Sequence, residues 1–333
     1  MNWIFAAAIL AAALPAGAQV KLSGIGDSIS QGFDADCFPD WTGNICRDDP
    51  ANSFGQGTHT EAFSSERIPY SVYQRWNFTQ KQFASVSGAR MIYQDASSPP
   101  NAASQARSIC AQAVKPDHVI LLLGGNDVCD SASIASIPDP TTFGNALGAA
   151  LDLLGACLPR NASVIALSVP RVDTLKPAGE ARGCGGNWCL YSLFTGSCTC
   201  KVVTGEGSAA NLKLIGAKID AWNNELKNRV AAANARWAGA PVRFVTDWQG
   251  PQSAGAQYTN TSLGTYAFKS NDISYDDCFH PHNDTGQCKL ACITYEQWKH
   301  QYSSASAAQA ALGPCFVDSD SRDAAGRNCT TTW

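Results

Sequence analysis

His118 to Leu123, HVILLL, is a continuous apolar run stopped by Gly124-Gly125-Asn126-Asp127. A run this short, without alternation, cannot leave one face in water. It is expected to be a strand buried on both faces, as at the centre of a parallel sheet. A sheet of that kind needs helices above and below it, so the run constrains the whole chain.

The flanking pattern agrees. Val20–Ile25, Phe83–Ser87, Ser163–Val169 and Val242–Thr246 read as further strands. Between them, helical spacing recurs in Ala103, Ala106, Cys110 and Ala113, in Phe143, Leu147, Leu151, Leu154 and Leu158 (a helix over 140–158), and in Leu212, Ile215, Ile219, Trp222, Leu226 and Val230. Ile68–Asn77 and about 286–302 are expected to be helical as well. Alternation of this kind predicts an α/β fold: a doubly wound, flavodoxin-like, three-layer α/β/α domain on a parallel sheet of about five strands.

Two stretches break the rhythm. Asp34–Arg67 is long and rich in Gly, Asp, Asn and Ser, and its Phe38, Trp41, Phe54 and Phe63 are candidates to line a binding surface or to pack the loop down. Residues 171–208 carry four cysteines and read as a disulfide-pinned insertion at a strand's C-terminal edge.

Residues 1–18 read as a signal peptide: Ile4–Leu14 is apolar, Pro15 breaks it, and Ala16-Gly17-Ala18 fits a cleavage site. The domain then runs 19–302, with a tail at 303–333 closed by Cys315 and Cys329. No later segment has the length and apolarity of a transmembrane helix. The 14 cysteines fit an oxidising, extracellular or periplasmic location. Charged residues are 16% of the chain and the formal charge is −4, which gives no basic footprint for nucleic acid. The chain is expected to be monomeric.

In doubly wound sheets, ligands bind beyond the carboxyl ends of the strands. Four chemistry-bearing elements fall there: Gly26-Asp27-Ser28, read as a strand, a tight turn and a helix start; Gly88; Asn126; and the Asp277–His280 loop. Ser28 is the candidate nucleophile and His280 the candidate base. Asp277, three residues earlier, can orient Nδ1 of that histidine from one tight turn. The Ser28 and Gly88 N–H groups and the Asn126 amide are candidate oxyanion donors. Asp27 is expected to brace the turn. Rivals for parts of this set are His282 as base, Asp276 or Asp247 as orienting acid, and a metal site on His280, His282 and Asp277. No G-x-S-x-G elbow occurs, which argues against an α/β-hydrolase.

These elements resemble the SGNH hydrolase superfamily, the GDSL esterases and lipases, whose pattern is GDS(L), a lone Gly, GxND and DxxH in that order. The matching residues are Gly26-Asp27-Ser28, Gly88, Gly124-Gly125-Asn126-Asp127 and Asp277-Cys278-Phe279-His280, with Ile29 where the family name has Leu. Gly125–Cys129 and Asp277–His280 also resemble the phospholipase B branch. The resemblance implies an esterase with Ser28, Asp277 and His280 as catalytic residues, Ser28, Gly88 and Asn126 as the oxyanion hole, and neither cofactor nor metal. Its substrate would be a lipid or phospholipid ester. A carbohydrate O-acetyl esterase, an acyltransferase and a non-catalytic secreted binding module are the alternatives. Cys278 is expected to pair, with Cys288 or Cys292 as partner, and to brace the catalytic loop.

Overall fold

A computed structural model describes residues 20–33, 48–58, 60–61, 68–69, 71–75, 78–93, 98–183, 200–205, 207–239, 242–248 and 268–274, and, further on, 277, 279–282, 286–287, 289–291 and 293–294. Five strands form one parallel sheet: β1 (Lys21–Gly26), β2 (Gln80–Lys81), β3 (His118–Leu122), β4 (Ser163–Ala166) and β5 (Arg243–Thr246), in the order β2-β1-β3-β4-β5. This is the flavodoxin-like order, whose topological switch point lies between β1 and β3. There the register sets Gly26 beside Leu122, so both strands end together.

The central run divides its side chains as the pleat requires. Val119, Leu121 and Leu123 belong to one apolar cluster, and Ile120 and Leu122 to the other. The first cluster is roofed by three long helices: α1 (Ala102–Ala111), α2 (Pro140–Cys157) and α3 (Ala209–Arg236). Each starts at a side-chain cap. Asn101, Asp139 and Ser208 accept the N–H of Ser104, Thr142 and Asn211 respectively, and Pro140 follows its cap at the first helical position. Phe143 of α2 stacks on Trp222 of α3 at 4.8 Å.

The second face is covered differently. Its cluster takes Phe54, Val72 and Phe78 from the first half of the chain and Leu290, Ala291 and Ile293 from the other end. Phe54 and Phe78 lie outside helices and Val72 opens the helical turn Val72–Arg75, whereas Leu290, Ala291 and Ile293 are helical residues.

Several sequence expectations need correction. The helix expected over Ile68–Asn77 is instead an antiparallel pairing of Ile68–Pro69 with Thr60–Glu61, then one helical turn at Val72–Arg75. Pro69 has no N–H to give a helix, which suits it to a short edge. The second strand was expected at Phe83–Ser87, but the two-way ladder stops at Lys81. Beyond it, the N–H groups of Gln82, Ala84 and Val86 still donate to Leu22, Gly24 and Gly26. The return bond fails because the Gly26 N–H goes to the Gln105 side chain at 2.8 Å. The fourth strand ends at Ala166, short of Val169, since Asp247 and Asn223 take the N–H groups of Ser168 and Val169.

The region expected as an insertion begins with a helix at Leu175–Arg182, closed by Gly183 in the left-handed conformation, and includes a helical turn at Lys201–Thr204. Among the described residues two disulfides are present. Cys110–Cys157 joins α1 to the end of α2, and Cys129–Cys200 pins the insertion to the helical turn that follows β3. Helical residues occur at 286–287, 289–291 and 293–294. The signal segment, the tail with Cys315 and Cys329, Asp276, Cys278 and its expected partners lie outside the described residues. No helix among the described residues is long and apolar enough to cross a membrane.

Candidate active site

Ser28 stands immediately beyond β1, and the expected helix start is a run of tight turns. The Gln31 N–H reaches the Asp27 and Ser28 carbonyls, and the Phe33 N–H returns to the Ser28 carbonyl at 3.0 Å. Asp27 braces this turn: its Oδ1 accepts the Ile29 N–H at 3.0 Å. The bond spans the serine and fixes its backbone from both sides.

His280 approaches from 252 positions away. Its Nε2 lies 2.8 Å from Ser28 Oγ, and its Nδ1 is hydrogen-bonded to Asp277 Oδ2. Asp277 Oδ1 also accepts the Phe279 and His280 N–H groups at 2.8 and 2.9 Å, so one turn carries the acid, the base and the bonds that fix them. Burial pushes the Asp277 carboxyl upward. The adjacent His280 charge and these hydrogen bonds outweigh that and hold it below the usual carboxylate range. The phenyl rings of Phe33 and Phe279 stand against the imidazole at 4.8 and 4.9 Å.

The rival acid Asp247 is committed elsewhere: its carboxylate accepts the N–H and Oγ–H of Ser168 at 2.6 and 2.7 Å. The rival base His282 lies one residue beyond the Pro281 bridge, with its N–H on the Asp272 carbonyl at 2.9 Å.

Gly88 has φ +79° and occupies the third position of a turn closed by the Ala89 N–H on the Val86 carbonyl. That conformation suits glycine and leaves the Gly88 N–H out of the turn's own bond. Asn126, at the start of the helical turn after β3, donates one amide hydrogen to the Ala89 carbonyl at 3.0 Å. Its second N–H has no hydrogen-bond partner among the described residues. Among the described residues neither the Ser28 nor the Gly88 N–H has a partner within the protein. The Asn126 amide is thus bonded one residue past Gly88, and the bond from the Val86 N–H to the Gly26 carbonyl ties the Gly88 turn to the end of β1, two residues before Ser28.

Residues without a motif hold these pieces. Buried Gln105 grips both backbone groups of Gly26, at 2.8 and 2.9 Å. Gln31 donates to Ser85, and Gln56 to the Ser30 carbonyl. Asp127 accepts the Met91 and Ile92 N–H groups and fixes the loop that carries Gly88. A lone glutamine has no sequence signature. Asp127 lies inside the GGND stretch, beside the candidate donor Asn126. Burial pushes the Asp27 carboxyl up to about 7 and that of Asp127 to about 6.

The class is thus a flavodoxin-like α/β domain with a Ser–His–Asp line beyond the carboxyl ends of its strands. Such a line can draw a proton from a serine hydroxyl, and the unpaired N–H groups can receive negative charge. Residues 23–291 match the family model described as GDSL-like lipase/acylhydrolase, and the chain belongs to that family.

Among solved structures, a family two carbohydrate esterase from Cellvibrio japonicus is similar at 13% identity and TM-score 0.42, over 86% of this chain and 61% of that one. The chain thus spans less than two thirds of that esterase's length. The inhibitor-bound form of M. smegmatis aryl esterase is similar at 13% identity and TM-score 0.42, over 84% of this chain and 99% of that one. No curated protein matches the chain in sequence.

Proposed function

We propose that the chain is a secreted, monomeric serine esterase that hydrolyses carboxylic esters, lipid or phospholipid esters above all, through an acyl-enzyme on Ser28. The observation that carries this reading is the 2.8 Å contact of Ser28 Oγ with His280 Nε2, with Asp277 behind Nδ1. His280 takes the Ser28 proton as Oγ attacks the ester carbonyl carbon. The carbonyl electron pair moves onto oxygen, where the Ser28 and Gly88 N–H groups and the Asn126 amide receive it. Collapse of the tetrahedral intermediate expels the alcohol, protonated by His280. A water molecule, deprotonated by His280, then releases the acid and restores Ser28. These steps call for no cofactor.

The Phe33 and Phe279 rings beside the base favour an apolar acyl group over acetyl. Secretion is supported by the apolar segment before Gln19 and by the Cys110–Cys157 and Cys129–Cys200 disulfides. The test is fluorophosphonate labelling with peptide mapping, followed by p-nitrophenyl esters of increasing chain length, acetylated xylan and a phospholipid. The expected results are modification of Ser28 and a preference for longer acyl chains. Ester turnover with Ser28 unlabelled overturns the assignment, and a preference for acetylated xylan overturns the substrate class. A mature N-terminus at Gln19 in secreted material checks the location.

A further inference from the structure

Ser28 and His280 belong to segments that are 252 positions apart, and a proton passes between them only while their separation holds. Among the described residues, two hydrogen bonds join the 27–33 turn to the chain beyond Asp277. One is the Ser28–His280 bond itself. The other comes from Gln287, which is fully buried. Its Nε2 donates to the Ile29 carbonyl at 3.1 Å, one residue past Ser28. Its Oε1 accepts the Phe54 N–H at 2.9 Å. Its own N–H donates to the His282 carbonyl at 2.9 Å, two residues past His280. The histidine loop is closed beneath by the Ile273–Pro281 bridge and the bond from the Ser274 N–H to the His280 carbonyl.

We propose that Gln287 is a positioning residue that sets the Ser28–His280 separation, a role that rests on the assignment of Ser28 and His280 made above. One planar amide spans the serine turn and the loop holding Phe54, while its main chain is tied to the histidine loop. Ile29, Phe54 and Leu290 belong to the apolar cluster on this face, whose packing carries no direction. The amide supplies direction, because each of its ends is satisfied at one orientation only.

The experiment compares Gln287→Met, similar in length but without either hydrogen bond, with the wild type, alone and in a His280→Ala background. Folding is checked by circular dichroism. The rates read are ester turnover and fluorophosphonate labelling of Ser28. The expected result is a kcat and a labelling rate about 10- to 100-fold lower, the scale of a small misplacement of reacting groups, with KM changed less than about twofold. In the His280→Ala background the same substitution is expected to add no further loss, because the alignment it serves is gone.

Normal labelling in folded Gln287→Met, or losses that simply add to those of His280→Ala, overturn the inference. If Gln287→Met does not fold, Gln287→Glu, which keeps the acceptor and loses the amide donor, carries the same expectation. Failure of both to fold shows a structural support and also overturns it. Wild-type protein that turns over ester without labelling at Ser28 defeats the underlying assignment instead, so the two failures are distinguishable.

Discussion

The two faces of the sheet are built on different principles. One is roofed by α1, α2 and α3, whose apolar stripes interlock around Phe143 and Trp222. The other is covered by loop residues and one helical turn from the first half of the chain and by the helical residues Leu290, Ala291 and Ile293 from its other end, and polar bonds from Gln287, Gln56 and Ser53 fix where those segments lie. Apolar burial gives cohesion without direction. Hydrogen bonds give direction, at the cost of desolvating every group that makes them. The face under α1, α2 and α3 therefore holds the domain together, whereas the face tied by polar bonds places the serine turn.

This contrast can be broken at four points. The largest effect is expected from Ser28→Ala, which should cost ~10⁴–10⁶ in kcat by the scale of serine triads while leaving thermal unfolding unchanged. Near-normal ester turnover in that variant would remove Ser28 from the chemistry. Trp222→Ala lies on the opposite face. It loses the Phe143 stack and the indole bond to the Pro138 carbonyl, and should destabilise by about 3–5 kcal/mol in denaturant titrations. The kcat of the folded fraction should stay the same, and a falling kcat would show that the two faces are not separable.

Asp27→Asn tests the desolvated carboxyl under the serine. The folded value of about 7 lies above the 3.8 of the unfolded chain. Over that interval the native state holds a proton that the unfolded state has released. The Asp27 contribution to stability is therefore full below about pH 4 and falls as pH rises towards 7, by roughly 2–4 kcal/mol. Asparagine keeps an acceptor for the Ile29 N–H, so the variant should gain stability relative to wild type across that window. Parallel profiles from pH 4 to 7 would show that Asp27 ionises without penalty. The smallest effect is expected from Gly24→Ala, where a Cβ would come within 2.3 Å of two Phe83 ring atoms. It should cost about 1–3 kcal/mol if the ring must move, and a neutral result in thermal unfolding would show that it shifts freely.

Much of the fold was legible because burial leaves periodic traces. HVILLL announced a strand covered on both faces, and the stripes of α2 and α3 announced the helices above it. The misread elements lack such traces. The 68–77 segment contains apolar and polar residues in an order that a hairpin edge and a single turn also satisfy. At the site, the candidates Ser28, Gly88, Asn126, Asp277 and His280 were legible because each belongs to a recurring short pattern. The supports were not. Gln105 lies 79 positions from Gly26 and Gln287 lies 258 from Ile29, and no local pattern encodes such a pairing.

By itself, then, the sequence determined the alternation of strands and helices, the strand that must be central, and the residue types that gather at one edge of the sheet. Periodicity and turn chemistry are local, so a linear reading reaches them. Only the tertiary structure decided that Asp247 serves Ser168 while Asp277 serves His280, that Cys129 pairs with Cys200, and that buried amides join the serine turn to its neighbours. Each of those choices depends on which groups meet once water is excluded, and the order of residues along the chain does not specify those encounters.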